Sequence, residues 1–133
     1  MPPVEGNYRV LVVDDSEDIA TTMKMLLELK GHEAQTALSG SQALSLVESF
    51  QPQLVLLDLS LPDMSGHDVV RAIRSAPRGK RVFIVAVTGW ASVADRSNAL
   101  AAGFDQFLAK PVDFDRLDDL FVELEARAPT AGI

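Results

Sequence analysis

Residues 53–58 read Gln53-Leu54-Val55-Leu56-Leu57-Asp58, four consecutive apolar side chains that close on a carboxylate. A strand with one wet face alternates polar and apolar residues. This one does not, so both of its faces are covered, as in the middle of a parallel sheet. The same kind of run occurs upstream as Val10-Leu11-Val12-Val13, closed by Asp14-Asp15, and downstream as Val82-Phe83-Ile84-Val85-Ala86-Val87, closed by Thr88-Gly89. Three covered strands therefore end in polar, chemically capable residues.

Outward from these runs, strand patterns at 8–13, 32–37, 53–57, 81–87 and 104–109 alternate with helical patterns. The helical stretches are 16–30, 39–50, 65–75 and 92–102, and Phe114, Leu117, Leu120, Phe121 and Leu124 mark a last one. Within the first helix Ile19, Met23, Leu26 and Leu27 form one apolar stripe, and Gly31 stands where a helix stops. Pro52 ends the second. The 32–37 run is the most polar, with His32, Glu33, Gln35 and Thr36, and suits a sheet edge. Alternating strands and helices joined by right-handed crossovers predict a three-layer α/β domain around a doubly wound, five-stranded parallel sheet. It is expected to occupy residues 8–127, with flexible ends at 1–7 and 128–133.

Composition narrows the function classes. The chain has 133 residues, 47% apolar and 23% charged, which is enough material for one globular core and too apolar for a disordered chain. No apolar run approaches the roughly 18–20 residues that span a bilayer, so no membrane segment is expected. The absence of cysteine removes disulfides, thiolate metal sites and cysteine nucleophiles, and fits a cytoplasmic protein. A net charge of −7 argues against direct nucleic-acid binding through phosphate neutralisation.

Ligands of open α/β sheets bind outside the carboxyl ends of the strands. There the sequence offers Asp14, Asp15, Asp58, Thr88 and Lys110: three carboxylates, a hydroxyl and an ammonium. Separately each has an ordinary reading. Asp14-Asp15 suits a solvated turn and helix N-cap, and Lys110 suits an exposed surface. Together they describe a site where like charges repel unless a cation shares it. Magnesium binds through one or two carboxylates plus waters and leaves room for a phosphoryl oxygen. A carboxylate can itself accept a phosphoryl group if positive charge and hydrogen-bond donors surround the equatorial oxygens.

Those residues, in the stretches Val10-Leu11-Val12-Val13-Asp14-Asp15, Leu56-Leu57-Asp58-Leu59-Ser60-Leu61-Pro62-Asp63-Met64-Ser65-Gly66, Thr88-Gly89 and Lys110-Pro111, resemble the receiver domain of bacterial two-component response regulators. The resemblance covers roughly residues 8–125. It implies a flavodoxin-like sheet of order 2-1-3-4-5, with Asp58 accepting phosphate from a histidine kinase or histidine phosphotransfer protein. It also implies magnesium held by Asp15, Asp58 and the Ser60 carbonyl, with Asp14 acting through a bound water. Thr88 and Lys110 would contact phosphoryl oxygens, and Pro111 would follow a cis peptide. Thr88 and Phe107 would form a switch acting on the face made by the fourth helix, fifth strand and fifth helix, where an effector or a second copy would dock. Ser60 and Trp90 would tune access to the acyl phosphate. Where the family often has tyrosine, this chain has Phe107, so packing alone must carry that part of the switch. Thr88-Gly89-Trp90 and Lys110-Pro111-Val112-Asp113 look more like receivers of hybrid histidine kinases than like those of DNA-binding regulators. No effector domain is expected after the last helix, so output would pass through a partner, a dimer or a longer protein.

The remaining candidates read as structural. His32 and His67 lie apart and are expected to be surface or satisfied histidines. Met23 suits the core, Phe114, Leu117 and Phe121 a core stripe, and Asp113, Asp115, Asp118 and Asp119 a helix start and solvated face. Two rival functions remain. A flavin or nucleotide carrier would want a phosphate-cradling loop where the chain has Asp14-Asp15-Ser16-Glu17. An aspartate-nucleophile phosphohydrolase would want a second carboxylate two residues beyond the first, but Asp14 and Asp15 are adjacent. The expectation is a phosphoacceptor, not an enzyme.

Overall fold

The computed structural model describes residues 8–76, 79, 81–89 and 93–127. Both expected flexible ends and Trp90 lie outside them. The strands are β1 (Arg9–Val13), β2 (Glu33–Ala37), β3 (Leu54–Asp58), β4 (Phe83–Thr88) and β5 (Gln106–Ala109). The helices between and after them are α1 (Glu17–Leu29), α2 (Gly40–Phe50), α3 (Gly66–Ser75), α4 (Val93–Ala102) and α5 (Phe114–Arg127). All pairings are parallel and the strand order is β2-β1-β3-β4-β5. The polar second run is an edge, as its composition requires. Strands β3 and β4 each run one residue further than the apolar pattern suggests, which takes Asp58 and Thr88 into the sheet itself.

Alternating side chains of the covered strands feed two cores. Val10, Val12, Leu54, Leu56, Phe83 and Val85 pack under α1 and α5. Leu11, Val13, Val55, Leu57, Ile84 and Ala86 pack under α2 and α3 on the opposite face. Serine hydroxyls start three of the helices: Ser16, Ser39 and Ser65 accept the N–H of Ile19, Gln42 and Asp68 respectively. Gly31 follows α1 with φ +96°, a conformation that favours glycine.

Two parts of the expected helical stripes differ. Ile19 (47% exposed) and Phe114 (46%) are not core residues. Both stand in the first turn of their helices, past the carboxyl edge of the sheet. They flank a groove of about 520 Å³ whose floor includes Val12, Leu56, Val87 and Leu108. The remaining marked residues of α5, Leu117, Leu120, Phe121 and Leu124, are buried.

The amino edge of the sheet is tied by polar groups. His32 is buried, its ring stacks 4.0 Å from that of Phe121, and its Nδ1 accepts the Tyr8 N–H at 3.1 Å. The Tyr8 hydroxyl donates to Glu125, and burial followed by that bond lifts the phenol to about 12. Lys30 pairs with Asp118 at 2.9 Å, joining α1 to α5. His67 departs from expectation: its ring meets Phe104 edge-on, and its Nε2 is buried without a hydrogen-bond partner among the described residues.

Burial, and then the charge of Lys30, hold His32 below its usual range, while Asp118 pulls the other way. The unfolded chain therefore takes up this proton more readily than the folded one. Any stability difference from His32 vanishes above its ordinary pKa of 6.5 and grows as pH falls below it. Urea midpoints of the wild type should drop between pH 7.5 and pH 5.5 by more than those of His32→Gln; parallel pH dependences in the two proteins would contradict this assignment.

Candidate functional site

The carboxyl ends of β1, β3, β4 and β5 bring the site together. Asp58, the last residue of β3, is 4% exposed. Its Oδ1 accepts the Ser60 N–H at 2.9 Å, and its Oδ2 accepts from Lys110 Nζ at 2.8 Å. Asp14 follows β1 and is also buried. Its N–H donates to the Ala37 carbonyl, while its Oδ1 accepts the Ser16 N–H at 2.9 Å and turns the chain toward α1. The helix cap is thus Ser16, and the ordinary reading of Asp14 as a solvated cap does not hold. Asp14 Oδ2 lies 3.3 Å from Lys110 Nζ. Asp15 is exposed, yet it contributes a carboxylate oxygen to a group with Asp14 and Asp58 in which all lie within 4.8 Å of one another.

Lys110 is set by backbone pairing: its N–H donates to the Thr88 carbonyl at 2.8 Å, directly after β5. The peptide between Lys110 and Pro111 is cis. Burial opposes charge on this ammonium, but the hydrogen bond and charge of Asp58, with the charge of Asp14, outweigh it and raise Lys110 above the usual lysine range. Thr88 is 3% exposed and pairs in register with Ala109, beside Asp58 opposite Val87. Phe107, on the α3 side of β5, is 9% exposed.

The loop carrying Ser60 is pinned at its far side. Asp63 accepts the N–H groups of Gly40 at 2.7 Å and Ser41 at 3.0 Å, and these bonds hold its carboxyl below the usual range. Gly40 leaves room for Met64 there, since a Cβ would come 2.2 Å from Met64 Cγ. Sequence reasoning placed Asp63 in a motif without giving it a role. A carboxylate facing a helix start from a distant loop leaves no local signature.

Three carboxylates against one ammonium leave two negative charges in excess around hard oxygen donors. That donor set suits a divalent cation such as magnesium, and the excess charge is what such an ion offsets.

A family model described as the response regulator receiver domain matches residues 10–121. The chain belongs to the response regulator receiver domain family. Two curated relatives differ in size, one close to this chain and one much longer. An uncharacterized 14.6 kDa protein in the sodA1 3' region of Leptolyngbya boryana is 36% identical over 104 residues, 78% of this chain and 79% of that protein. The transcriptional regulatory protein PrrA of Mycobacterium leprae is 37% identical over 103 residues, 77% of this chain but 43% of that protein. Against that second relative, the receiver spans less than half the length. Among solved structures, the CheY-like receiver domain of Methylobacillus flagellatus superposes with a TM-score of 0.80 at 33% identity, covering 90% of this chain and 99% of that one. Membership favours two-component signalling over the flavin-carrier and phosphohydrolase alternatives. The leaning toward hybrid-kinase receivers gains no support from the relatives named here, one of which is a transcriptional regulator. Among the described residues, no helix is long and apolar enough to cross a membrane.

If Lys110 is the cation that lets Asp58 stay charged in the protein interior, their contributions to stability must be coupled. In metal-free buffer at pH 7, Lys110→Met should destabilise by about 1–3 kcal/mol, and by clearly less in an Asp58→Asn background. A double-mutant cycle by urea denaturation measures the difference; additive effects would mean the pair is not coupled.

Proposed function

We propose that this receiver domain accepts a phosphoryl group on Asp58 from a phosphohistidine of a histidine kinase or histidine phosphotransfer protein, and that the modified domain signals through a changed partner surface. One observation carries the reading. A buried carboxylate at a sheet edge has one oxygen held by a backbone N–H and the other by an ammonium, with two more carboxylates alongside. A carboxylate oxygen of Asp58 attacks phosphorus, the phosphorus–nitrogen bond breaks, and the electron pair leaves with the imidazole. The product is an acyl phosphate on Asp58. Asp14, Asp15 and Asp58, with the main-chain carbonyl of Ser60, are the groups that would hold magnesium. When bound, magnesium supplies the positive charge that the carboxylates and the phosphoryl oxygens share.

Lys110 pairs with one phosphoryl oxygen and the Thr88 hydroxyl donates to another, so that charge is stabilised by groups already in place. Ser60 and Trp90 would tune the access of water to the acyl phosphate. The added phosphate brings about −1.5 to −2 charges at neutral pH, and drawing Thr88 toward it couples the site to Phe107 and the face of α4, β5 and α5. An effector or a second copy docks on that face. The domain acts once per phosphoryl group, as a stoichiometric acceptor with slow self-dephosphorylation, in the cytoplasm.

Radiolabelled acetyl phosphate should label the wild type to one equivalent only with magnesium present, and Asp58→Asn should take up none. Full labelling of that variant, or labelling unaffected by a chelator, would remove Asp58 or the cation from the reaction.

A further inference from the structure

Of the groups that would hold magnesium, the three carboxylates are set by the sheet and a helix start, and the Ser60 carbonyl by neither. Asp58 ends β3 and pairs in register with Val87 of β4. The Asp14 N–H donates to the Ala37 carbonyl at 3.0 Å, and Asp15 stands between Asp14 and Ser16, the cap of α1, whose N–H returns to Asp14 Oδ1. The Ser60 N–H is held by Asp58 Oδ1, but the Ser60 carbonyl opens onto residues 61–65, which are neither strand nor helix.

The near end of that loop is closed on the sheet. The Leu59 N–H donates to the Val87 carbonyl at 3.3 Å, and the Gly66 N–H donates to the Leu59 carbonyl at 3.1 Å. The far end is closed by Asp63, which accepts the N–H groups of Gly40 and Ser41, with Met64 laid against Gly40. What Asp63 grips is a braced turn. Ser39 Oγ accepts the Gln42 N–H at 3.2 Å, and Gln42 Oε1 accepts the Leu38 N–H at 2.8 Å, one residue after Ala37, which holds Asp14. The turn between β2 and α2 therefore has Asp14 on one side and Asp63 on the other. Through it, the arm of the site that follows β1 is joined to the arm that follows β3.

Three carboxylates sharing one ammonium push these two arms apart until a cation arrives. A hard ion that demands near-octahedral oxygen donors binds better where the donors already stand in place, because no binding energy is spent on ordering them.

We propose that Asp63 is a positioning residue for the cation site: by clasping the Ser60 loop to the turn that also holds Asp14, it fixes the gap between the two arms before magnesium binds. This rests on the phosphoacceptor reading. It adds a residue outside the donor set that governs how tightly the ion is held.

Magnesium chloride is titrated into isotope-labelled, initially metal-free protein, and the dissociation constant is read by NMR from the amide shifts of Asp15 and Ser60. Asp63→Ala removes both acceptors and should weaken magnesium binding about tenfold, the low end of what losing a group behind the ligands costs. Asp63→Asn keeps one acceptor and should fall between that variant and the wild type. In acetyl phosphate labelling of Asp58, the magnesium concentration giving half the maximal rate should rise by the same factor, while the rate at saturating magnesium stays unchanged. Arg74→Lys is the control for general loosening. Arg74 donates to the carbonyls of Gly79, Val82 and Gly103 and to Asp105 at the opposite edge of the sheet, and lysine, with a single nitrogen, cannot span these acceptors. That variant should bind magnesium as the wild type does.

Unchanged magnesium affinity in Asp63→Ala, or an equal loss in Arg74→Lys, would overturn the clasp and leave the phosphoacceptor reading intact. So would a loss that disappears at about 0.5 M potassium chloride, since an exposed charge is screened there and a held loop is not. A wild type that binds no magnesium, or is not labelled at Asp58, would overturn both. Should Asp63→Ala fold poorly, Asp63→Asn is read alone, and wild-type affinity in it would overturn the clasp.

Discussion

A carboxylate buried at the end of a covered strand must be met by positive charge, and in this chain Lys110 meets Asp58 from 52 residues away. That requirement organises the carboxyl edge of the sheet. β3 carries Asp58, β5 delivers Lys110, and β4 between them fixes their separation through the bond from the Lys110 N–H to the Thr88 carbonyl. The single ammonium is shared with Asp14, so the site is held together while remaining short of positive charge. A stable fold and an unsatisfied electrostatic demand coexist at one place, and this makes the edge receptive to a cation and an anionic group arriving together.

The two edges of the sheet are built on opposite terms. At the amino edge, the charges of Arg74, Asp105, Lys30 and Asp118 are paired, and His32 and Tyr8 have their hydrogen bonds made. At the carboxyl edge, negative charge is left in excess and apolar side chains such as Ile19 and Phe114 stand in water. Stability is invested at one end and chemistry at the other, with the apolar strands as the rigid part between them.

The carboxyl edge was legible in the sequence for a physical reason. Unalternating strands can only be central, the residue that ends such a strand can only lie at the ligand-binding edge, and Asp14, Asp58 and Thr88 follow from that in order, whereas Lys110 is placed by standing after the last strand pattern, at the edge of the sheet. The amino edge was not. Arg74 in the last turn of an amphipathic helix looks like any solvated arginine, and Asp105 like any loop acid, because the carbonyls they engage belong to backbone that no side-chain pattern announces. The same holds for Asp63 and the start of α2. Ile19 and Phe114 were misread because helical periodicity reports which face turns inward and not whether the sheet extends far enough to cover it.

The sheet ends on β2 and β5, and both are poor templates for another strand. β2 presents Glu33 and Gln35 to solvent, and β5 is only four residues long, bounded by Asp105 and by Lys110-Pro111. Backbone pairing between molecules is thereby discouraged at both margins. Helix surfaces and loops, by contrast, carry side chains that can be rewritten without disturbing the sheet. Specificity for one partner over another can diverge on those surfaces while the chemistry beneath them stays the same.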